Sequence, residues 1–457
     1  MAVPRRITAC LLTLLASGCG GGDDDDGQAV DGGGASADAA TDGPDAGPPV
    51  FPGSWQLSLL ARCNFGVNEG GAYRIPTDHF LDVPAVQVNG SGQVAVAVPI
   101  APDGRRHIWM GDAAGGELVY HSPVDAFMSG VSIDGAGRAV FDLTMTDTEG
   151  LYAYDPAARP ASDVVTTEPF GAISRGDPQL NEAGQVGFRA SFGSSRAHYV
   201  LEDGRSSPAV RVAETSLDGD SPYSFLFSPG FNGAGDIASA ARRGPGTDND
   251  RPDEIVLWRA SGDPVVIARD ADADPRSIYA QFDSTHVSVN DRGQVAFIAT
   301  LVDGGVRAVV VSDGSSETFI AREGEREVDD IEFFSTDINA HGWVVFRAVD
   351  SDGKRAIWIG DGTTLERIAT DRDEVTTDLG AGMIAQESPD NPVFDGGPSI
   401  NDRGDVAFAC GLAPLGDDQV EWAPASTWPS LPPGAELAPS APRRPAPARP
   451  RPPGHGR

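Results

Sequence analysis

The chain repeats one pattern of polar and apolar positions. An Asn or Asp is followed by two variable residues, a Gly, one more variable residue and then a run rich in Val, Ala and Phe, as in "NDRGQVAFIA". Copies begin 45 to 62 residues apart, which suits a unit of several strands and is too long for one rung of a β-helix. The copies begin at Asn89, Asp134, Asn181, Asn232, Asn290, Asn339 and Asn401, and their glycines are Gly92, Gly137, Gly184, Gly235, Gly293, Gly342 and Gly404.

Each copy predicts a tight turn between two strands. The Asn or Asp side chain can bond its own downstream backbone, and the Gly can take a positive φ that other residues resist. Two more strands follow most copies, one ending in an acidic turn, as in "AIWIGDG" from Ala356, and one like "RIAT" from Arg367. Four strands in each of seven repeats predict an all-β fold, a seven-bladed β-propeller of four-stranded antiparallel blades.

The last repeat has no clear fourth strand after Cys410. "LLARC", which ends at Cys63, resembles the fourth-strand phrase "FIARE" from Phe319 but precedes the first repeat. We therefore expect an N-terminal strand to complete the last blade and close the ring. Cys63 and Cys410 would then share a blade and could form a disulfide in an oxidising compartment, unless a strand between them holds them too far apart.

The two ends of the chain differ in composition from the repeats. Arg5 and Arg6 precede a short apolar run, which predicts a signal peptide over residues 1–18. The small residues before Cys19 resemble a bacterial lipoprotein signal, which would place a lipid on Cys19; the alternative is cleavage near Gly18 beside an incidental cysteine. We expect a disordered Gly/Asp-rich tether over 19–50, the propeller over 51–422 and a disordered Pro/Arg-rich tail over 423–457, which is either native or read in a shifted frame.

The net charge constrains the partners. At −33, the chain lacks the basic face that phosphate contacts require, so we expect no nucleic-acid binding. The only membrane contact we expect is the lipid on Cys19, which would make the protein a cell-envelope, outer-membrane lipoprotein.

Over residues 80–410, the chain resembles bacterial surface proteins of the choice-of-anchor type, which are built of tandem NxxGxxAF repeats. The copies at Asn181, Asn290, Asn339 and Asn401 match this pattern best, whereas those at Asn89, Asp134 and Asn232 depart at the aromatic residue or at the Asn. The resemblance implies an exported, anchored, repeat-built β protein, and it implies no enzymatic activity.

Motifs for catalysis or metal binding are missing from the sequence. There is no G-x-S-x-G elbow, Walker loop, H-E-x-x-H or C-x-x-C pair, and the histidines are scattered singly. "DADADP" from Asp270 starts like a calcium loop, but Pro275 replaces its glycine and Gln281 its bidentate Glu, which favours a solvated loop. Regular placement in the third strand favours packing for Trp109, Trp258 and Trp358, whereas the irregular Trp343 is a candidate ligand contact.

Turns and sheet packing account for every recurring residue. We therefore expect a non-catalytic, cell-surface propeller without a cofactor that binds an extracellular protein or glycan. The alternative is a hydrolase or lyase of polysaccharides or small esters with a carboxylate and Ca²⁺ site in the central channel. Polar residues of several blades converging at one end of the channel would favour this alternative, whereas aspartates that cap separate turns would count against it.

Overall fold

The computed structural model describes residues 55–62, 75, 86–99, 105–145, 149–158, 162–244, 253–385 and 393–417. These residues form strands, turns and connections, and none of them forms a helix that could cross a membrane. The predicted signal peptide, tether and tail, with Cys19 and Cys63, lie outside the described residues.

Blades one to three are four-stranded antiparallel sheets whose strands follow chain order from the centre outward. Blade one contains β1 (Val86–Val88), β2 (Val94–Pro99), β3 (Arg105–Asp112) and β4 (Gly115–Asp125). Blade two contains β5 (Val131–Ile133), β6 (Ala139–Thr144), β7 (Glu149–Tyr154) and β8 (Ser162–Thr166). Blade three contains β9 (Ser174–Leu180), β10 (Val186–Phe192), β11 (Ser195–Leu201) and β12 (Ala209–Ala213).

In blades four to six the innermost strand is split into two pieces that both pair with the second strand. Blade four contains β13 (Tyr223–Leu226), β14 (Gly230–Phe231), β15 (Ile237–Arg243), β16 (Glu254–Trp258) and β17 (Val265–Arg269). Blade five contains β18 (Tyr279–Phe282), β19 (Ser288–Val289), β20 (Val295–Leu301), β21 (Arg307–Ser312) and β22 (Glu317–Arg322). Blade six contains β23 (Val328–Ile331), β24 (Asp337–Ile338), β25 (Val344–Asp350), β26 (Arg355–Gly360) and β27 (Leu365–Thr370).

Blade seven is built on the pair β30 and β31, and a small sheet of order β28-β29-β32 packs beside it. The innermost strand of each blade contacts the innermost strand of the next blade, and the last one contacts the first, which closes the ring. In ring order these strands are β1, β5, β9, β14, β19, β24 and β30. The prediction of a seven-bladed β-propeller is therefore confirmed. The strands of blade seven are β28 (Glu374–Thr377), β29 (Gly380–Ile384), β30 (Phe394–Ile400), β31 (Val406–Cys410) and β32 (Leu412–Pro414).

The N-terminal segment 55–62 closes the ring. Leu59 packs in the core between blades six and seven with Phe394 and Phe408, whereas Leu60 and Ala61 pack in the core shared by blades seven and one. The segment therefore contributes side chains to both faces of blade seven, as expected of a strand that completes it. Two side chains fix its ends: Trp55 Nε1 donates to Glu366 Oε2 at 2.8 Å, and the fully buried Arg62 donates to Asp378.

The repeat supplies the cores between blades. Five of the seven anchors are followed seven residues later by a Phe that is fully or almost fully buried on the second strand, namely Phe141, Phe188, Phe297, Phe346 and Phe408. The small residue before it permits close packing of neighbouring sheets: a Cβ added at Gly187 would lie 2.6 Å from the ring of Phe231 in blade four. The third-strand tryptophans are also buried, and so is Trp343, at 6% exposure, in the core between blades six and seven. The expectation that Trp343 meets a ligand is therefore wrong.

Candidate binding channel

All seven anchor motifs form turns between the first and second strands of their blades. In each turn the Gly N–H donates to the carbonyl of the Asn or Asp at 2.9–3.1 Å. The seven glycines have φ between 73° and 86°, a region that L side chains rarely adopt. The turns lie together at one end of the propeller, which we call the turn face.

The anchor side chains also link the blades to one another. In Asn290, Oδ1 accepts hydrogen bonds from the N–H groups of Arg292 and Gln294, and Nδ2 donates to the carbonyl of Asn339 in the next blade at 3.0 Å. The other donors of this belt are Asn89, Asn181, Asn232, Asn339 and Asn401, each reaching the anchor carbonyl of the following blade at 2.8–3.1 Å. The bond from Asn401 to Asn89 closes the circle.

The belt is interrupted at Asp134, whose carboxylate has no N–H to donate. Asp134 Oδ2 instead accepts from Arg138 Nε at 2.6 Å. The junction of blades two and three is made by Glu182, whose Oε1 accepts from the Gly135 N–H at 2.8 Å. Similar acid-to-backbone bonds join Asp291 to Gly233 and Asp402 to Ala340.

A second belt lines the channel two residues before the anchors. Ser132 Oγ accepts from the Leu180 N–H at 2.9 Å, and Gln179 Oε1 accepts from the Phe231 N–H at 2.8 Å. Asp337 Oδ2 accepts from the Ile400 N–H at 2.9 Å, and Ser399 Oγ from the Val88 N–H at 3.3 Å. Sequence analysis missed these residues. The signal was a polar residue two positions before the anchor in six of the seven copies, at Gln87, Ser132, Gln179, Ser288, Asp337 and Ser399.

The innermost strands of all seven blades enclose a cavity of about 440 Å³. This volume is within the usual range for small-ligand sites. Its wall contains five carboxylates and no lysine or arginine, and one of the five, Asp177, is paired with Arg189 beside the wall, so the channel keeps an excess of negative charge. The carboxylates belong to Asp177, Glu182, Asp291, Asp337 and Asp402.

A polar cluster from blades three and five lies in the channel wall. Gln179 Nε2 is 2.8 Å from His286 Nε2, and Asp177 forms an ion pair with Arg189 at 3.2 Å. Burial lowers the pKa of His286, which favours the neutral imidazole at neutral pH. Behind this cluster, burial lowers the pKa of His198 to about 3, and its Nε2 lies 2.9 Å from the Phe227 carbonyl. The histidines therefore add no positive charge to the channel.

Three further groups in the wall have unusual surroundings. Ser288 and Thr336 are only 5% and 3% exposed, and their hydroxyl oxygens have no hydrogen-bond partner. In the second belt, Ser288 would accept from the N–H that precedes the next anchor, which is that of Ile338. The Ile338 N–H donates to Asp337 Oδ1 instead, which leaves the Ser288 hydroxyl without this bond. Burial raises the pKa of Asp337 to about 6, although hydrogen bonds from Ile400, Ser399 and Ile338 favour its charged form.

The channel therefore shows polar residues converging from several blades, but most of them bond the neighbouring blade. Ser129 Oγ donates to the buried Asp142 at 2.8 Å, not to a histidine, and it accepts from the Asp177 N–H. Within the described ranges, no group of three or more His, Cys, Asp or Glu side chains could hold a metal ion. In the Asp270 loop, the carboxylate caps the N–H groups of Asp272 and Ala273.

The predicted disulfide between Cys63 and Cys410 lies partly outside the described residues. Cys410 is buried in β31 and forms no disulfide with another described residue, and Cys63 lies outside the described part of the chain.

No family model and no curated protein matches this chain. Among solved structures, TolB from Acinetobacter baumannii aligns at 13% identity over 64% of this chain and 63% of its own, with a TM-score of 0.39. A puromycin-hydrolyzing peptidase of Mycobacterium tuberculosis aligns at 14% identity over 76% and 54%, with a TM-score of 0.48. An oligogalacturonate lyase in complex with manganese aligns at 13% identity over 72% and 87%, with a TM-score of 0.43.

This chain spans less than two thirds of the length of the first two of these proteins. At such identities the likeness concerns the fold alone, and we transfer no activity, metal or ligand from these structures to this chain.

Proposed function

We propose that this protein is a non-catalytic binding propeller, held at the cell envelope by a lipid on Cys19, whose channel takes a cationic group of its ligand. The observation that carries this proposal is the composition of the channel wall, with five carboxylates and no lysine or arginine around a 440 Å³ cavity. A primary ammonium or a guanidinium, as on protein side chains and amino sugars, offers positive charge and several N–H donors to such a wall.

The acidic wall disfavours an anionic glycan, because bringing a carboxylate close to several like charges is costly. The hydroxyls of Ser288 and Thr336 add acceptors that a cation rich in N–H groups can use. The polar side chains of the two belts hold neighbouring blades together, so their convergence on the channel is explained without a catalytic role.

The first experiment measures small-probe binding to the full-length protein by isothermal titration calorimetry at low salt. We expect arginine amide and glucosamine to bind, and galacturonate and glucose not to bind. Asp177→Asn and Asp337→Asn should each weaken binding of the cations by about tenfold, the effect of losing about 1.4 kcal/mol of charge interaction.

The matched control is Asp303→Asn, which removes the same charge from an exposed turn outside the channel. It should leave the affinity for both cations unchanged. Equal binding of galacturonate, or an equal loss of affinity in the control, would show that the channel is not a cation site. Hydrolysis of nitrophenyl esters or glycosides that is lost in His286→Gln would show that the protein is an enzyme.

The anchor is tested separately. Radiolabelled palmitate should be incorporated into the wild-type protein and not into Cys19→Ser, which should leave the membrane fraction. If Cys19→Ser still incorporated radiolabelled palmitate, the proposed lipid on Cys19 would be wrong. The proposal for the channel would not be affected.

A further inference from the structure

The exposed apolar side chains are concentrated at one end of the propeller. This end, opposite the turn face, carries the links between the last strand of each blade and the first strand of the next, and we call it the connection face. Among the described residues, no large apolar side chain of an anchor turn is exposed. The exposed set on the connection face includes Phe127, Phe170, Ile173, Leu217, Ile278 and Phe333, with exposures from 44% to 78%.

Five of these side chains come from four consecutive junctions of the ring, and Phe333 lies between β23 and β24 of blade six, where it packs on the Arg307 guanidinium. Phe127 lies between β4 and β5, Phe170 and Ile173 between β8 and β9, Leu217 between β12 and β13, and Ile278 between β17 and β18. The link before β18 is held by a turn of the blade it enters, since the Val302 N–H between β20 and β21 donates to the Ile278 carbonyl at 2.8 Å. Large apolar side chains that are exposed together on one face and rimmed by polar residues mark interaction surfaces.

Four links of the same face are also strongly acidic. The four links 214–222, 270–278, 323–327 and 371–373 contain eleven acidic residues and three arginines. Asp218, Asp272 and Glu325 are examples that are exposed to solvent. A partner that covers this face must therefore be positively charged and must also bury aromatic and aliphatic side chains.

We propose that the connection face docks a basic, amphipathic polypeptide segment of another protein. A second copy of this chain fits poorly, because a twofold contact would bring the same acidic links together. An anionic membrane surface is repelled for the same reason. The chain's own tail, 423–457, has its large apolar residues at Trp428, Leu431 and Leu437 and its arginines only from Arg443 onward. Its apolar and basic residues therefore do not alternate, as they do in an amphipathic basic segment.

This surface is distinct from the channel cavity. The inference rests on the proposed binding function and adds a polypeptide partner to it. The two sites are separated by experiment. The docking test uses fluorescence anisotropy of labelled peptides with the full-length protein at physiological salt. The probes are an amphipathic Lys/Leu peptide, a Lys/Gln peptide of equal charge and a Glu/Leu peptide.

We expect the Lys/Leu peptide to bind at least about tenfold more tightly than the Lys/Gln peptide, and the Glu/Leu peptide not to bind. The variant Phe127→Ser/Phe170→Ser/Phe333→Ser should lose about tenfold in affinity for the Lys/Leu peptide only. The matched control is Val164→Ser/Val210→Ser, which removes exposed apolar side chains from the outer strands β8 and β12 and should leave binding unchanged.

Equal affinity for the two lysine peptides, or an equal loss in the Val164/Val210 control, would overturn the docking surface. A gain in peptide affinity when residues 423–457 are deleted would show that the tail occupies the face. Dimerisation that is abolished by the triple Phe variant would identify a second copy as the occupant. Asp177→Asn should weaken arginine amide binding and spare peptide binding, so the channel and the face can fail independently.

Discussion

Replacing Asn290 by Asp tests whether the anchor side chains hold neighbouring blades together. Asn290 is 4% exposed, and its Oδ1 accepts from two N–H groups of its own turn. Its Nδ2 donates to the Asn339 carbonyl at 3.0 Å and to Gln294 Oε1 at 2.9 Å. The substitution keeps the shape and both acceptances within the turn, and it removes only the two donations.

The expected cost follows from these contacts. The Asn339 carbonyl keeps the bond from the Gly342 N–H, so it is not left without a donor, and the lost bonds are each worth about 1 kcal/mol. A buried carboxylate then faces two oxygen atoms that it cannot bond. Together these effects should lower the free energy of unfolding by about 3–4 kcal/mol.

The assay is urea unfolding of the full-length protein followed by tryptophan fluorescence. Asp134→Asn is the companion variant, because Asp134 lacks the link to the next blade. It should gain a bond to the Asn181 carbonyl and lose the ion pair with the partly exposed Arg138, leaving stability within about 0.5 kcal/mol of wild type. If Asn290→Asp unfolds at the wild-type midpoint, or if the two variants are equally destabilised, the belt does not stabilise the ring.

Three further predictions concern single positions. Gly233→Ala should cost about 1 kcal/mol in urea unfolding, because its Cβ would lie 2.7 Å from Asp291 Oδ2 and would displace the carboxylate that accepts from the Gly233 N–H. Gly90→Ala, with no atom within 4 Å, should be neutral or slightly stabilising, and equal effects would refute the argument. Burial raises the pKa of Asp142 to about 7, so the protonated side chain contributes fully to stability below pH ~4, and this contribution is lost as the pH rises to 7. The difference in free energy of unfolding between Asp142→Asn and wild type should therefore shift in favour of the variant as the pH rises from ~4 to 7. A difference that does not depend on pH would contradict this. Trp343→Ala should lower the free energy of unfolding by about 3–5 kcal/mol by leaving a cavity between blades six and seven, and a cost below about 1 kcal/mol would indicate a surface position.

The sequence predicts the fold because the determinants of each turn and strand are local. Asn290 and Gly293 lie three residues apart, and the turn they form depends only on their own backbone. The alternation after Gly293 likewise fixes which face of the strand is buried. The closing role of 55–62 was predictable because Leu59 and Ala61 repeat the pattern of a fourth strand.

The site depends on contacts that no single repeat contains. The Nδ2 group of Asn290 finds its acceptor 49 residues away in the chain, and that acceptor is a backbone carbonyl, which leaves no trace in residue type. Trp343 was misjudged because the other copies have a polar residue or Arg at its position, and only the packing of blade six on blade seven shows that it is buried. The channel charge was recoverable in part, since Asp337 belongs to a polar column two residues before the anchors.

The most direct test of the binding channel is a crystal structure of the protein grown with arginine amide. We expect density for the guanidinium in the cavity, within hydrogen-bond distance of the Asp177 or Asp337 carboxylate and near the hydroxyls of Ser288 and Thr336. Density only at exposed carboxylates outside the channel, with the cavity holding water alone at saturating ligand, would contradict the proposed function.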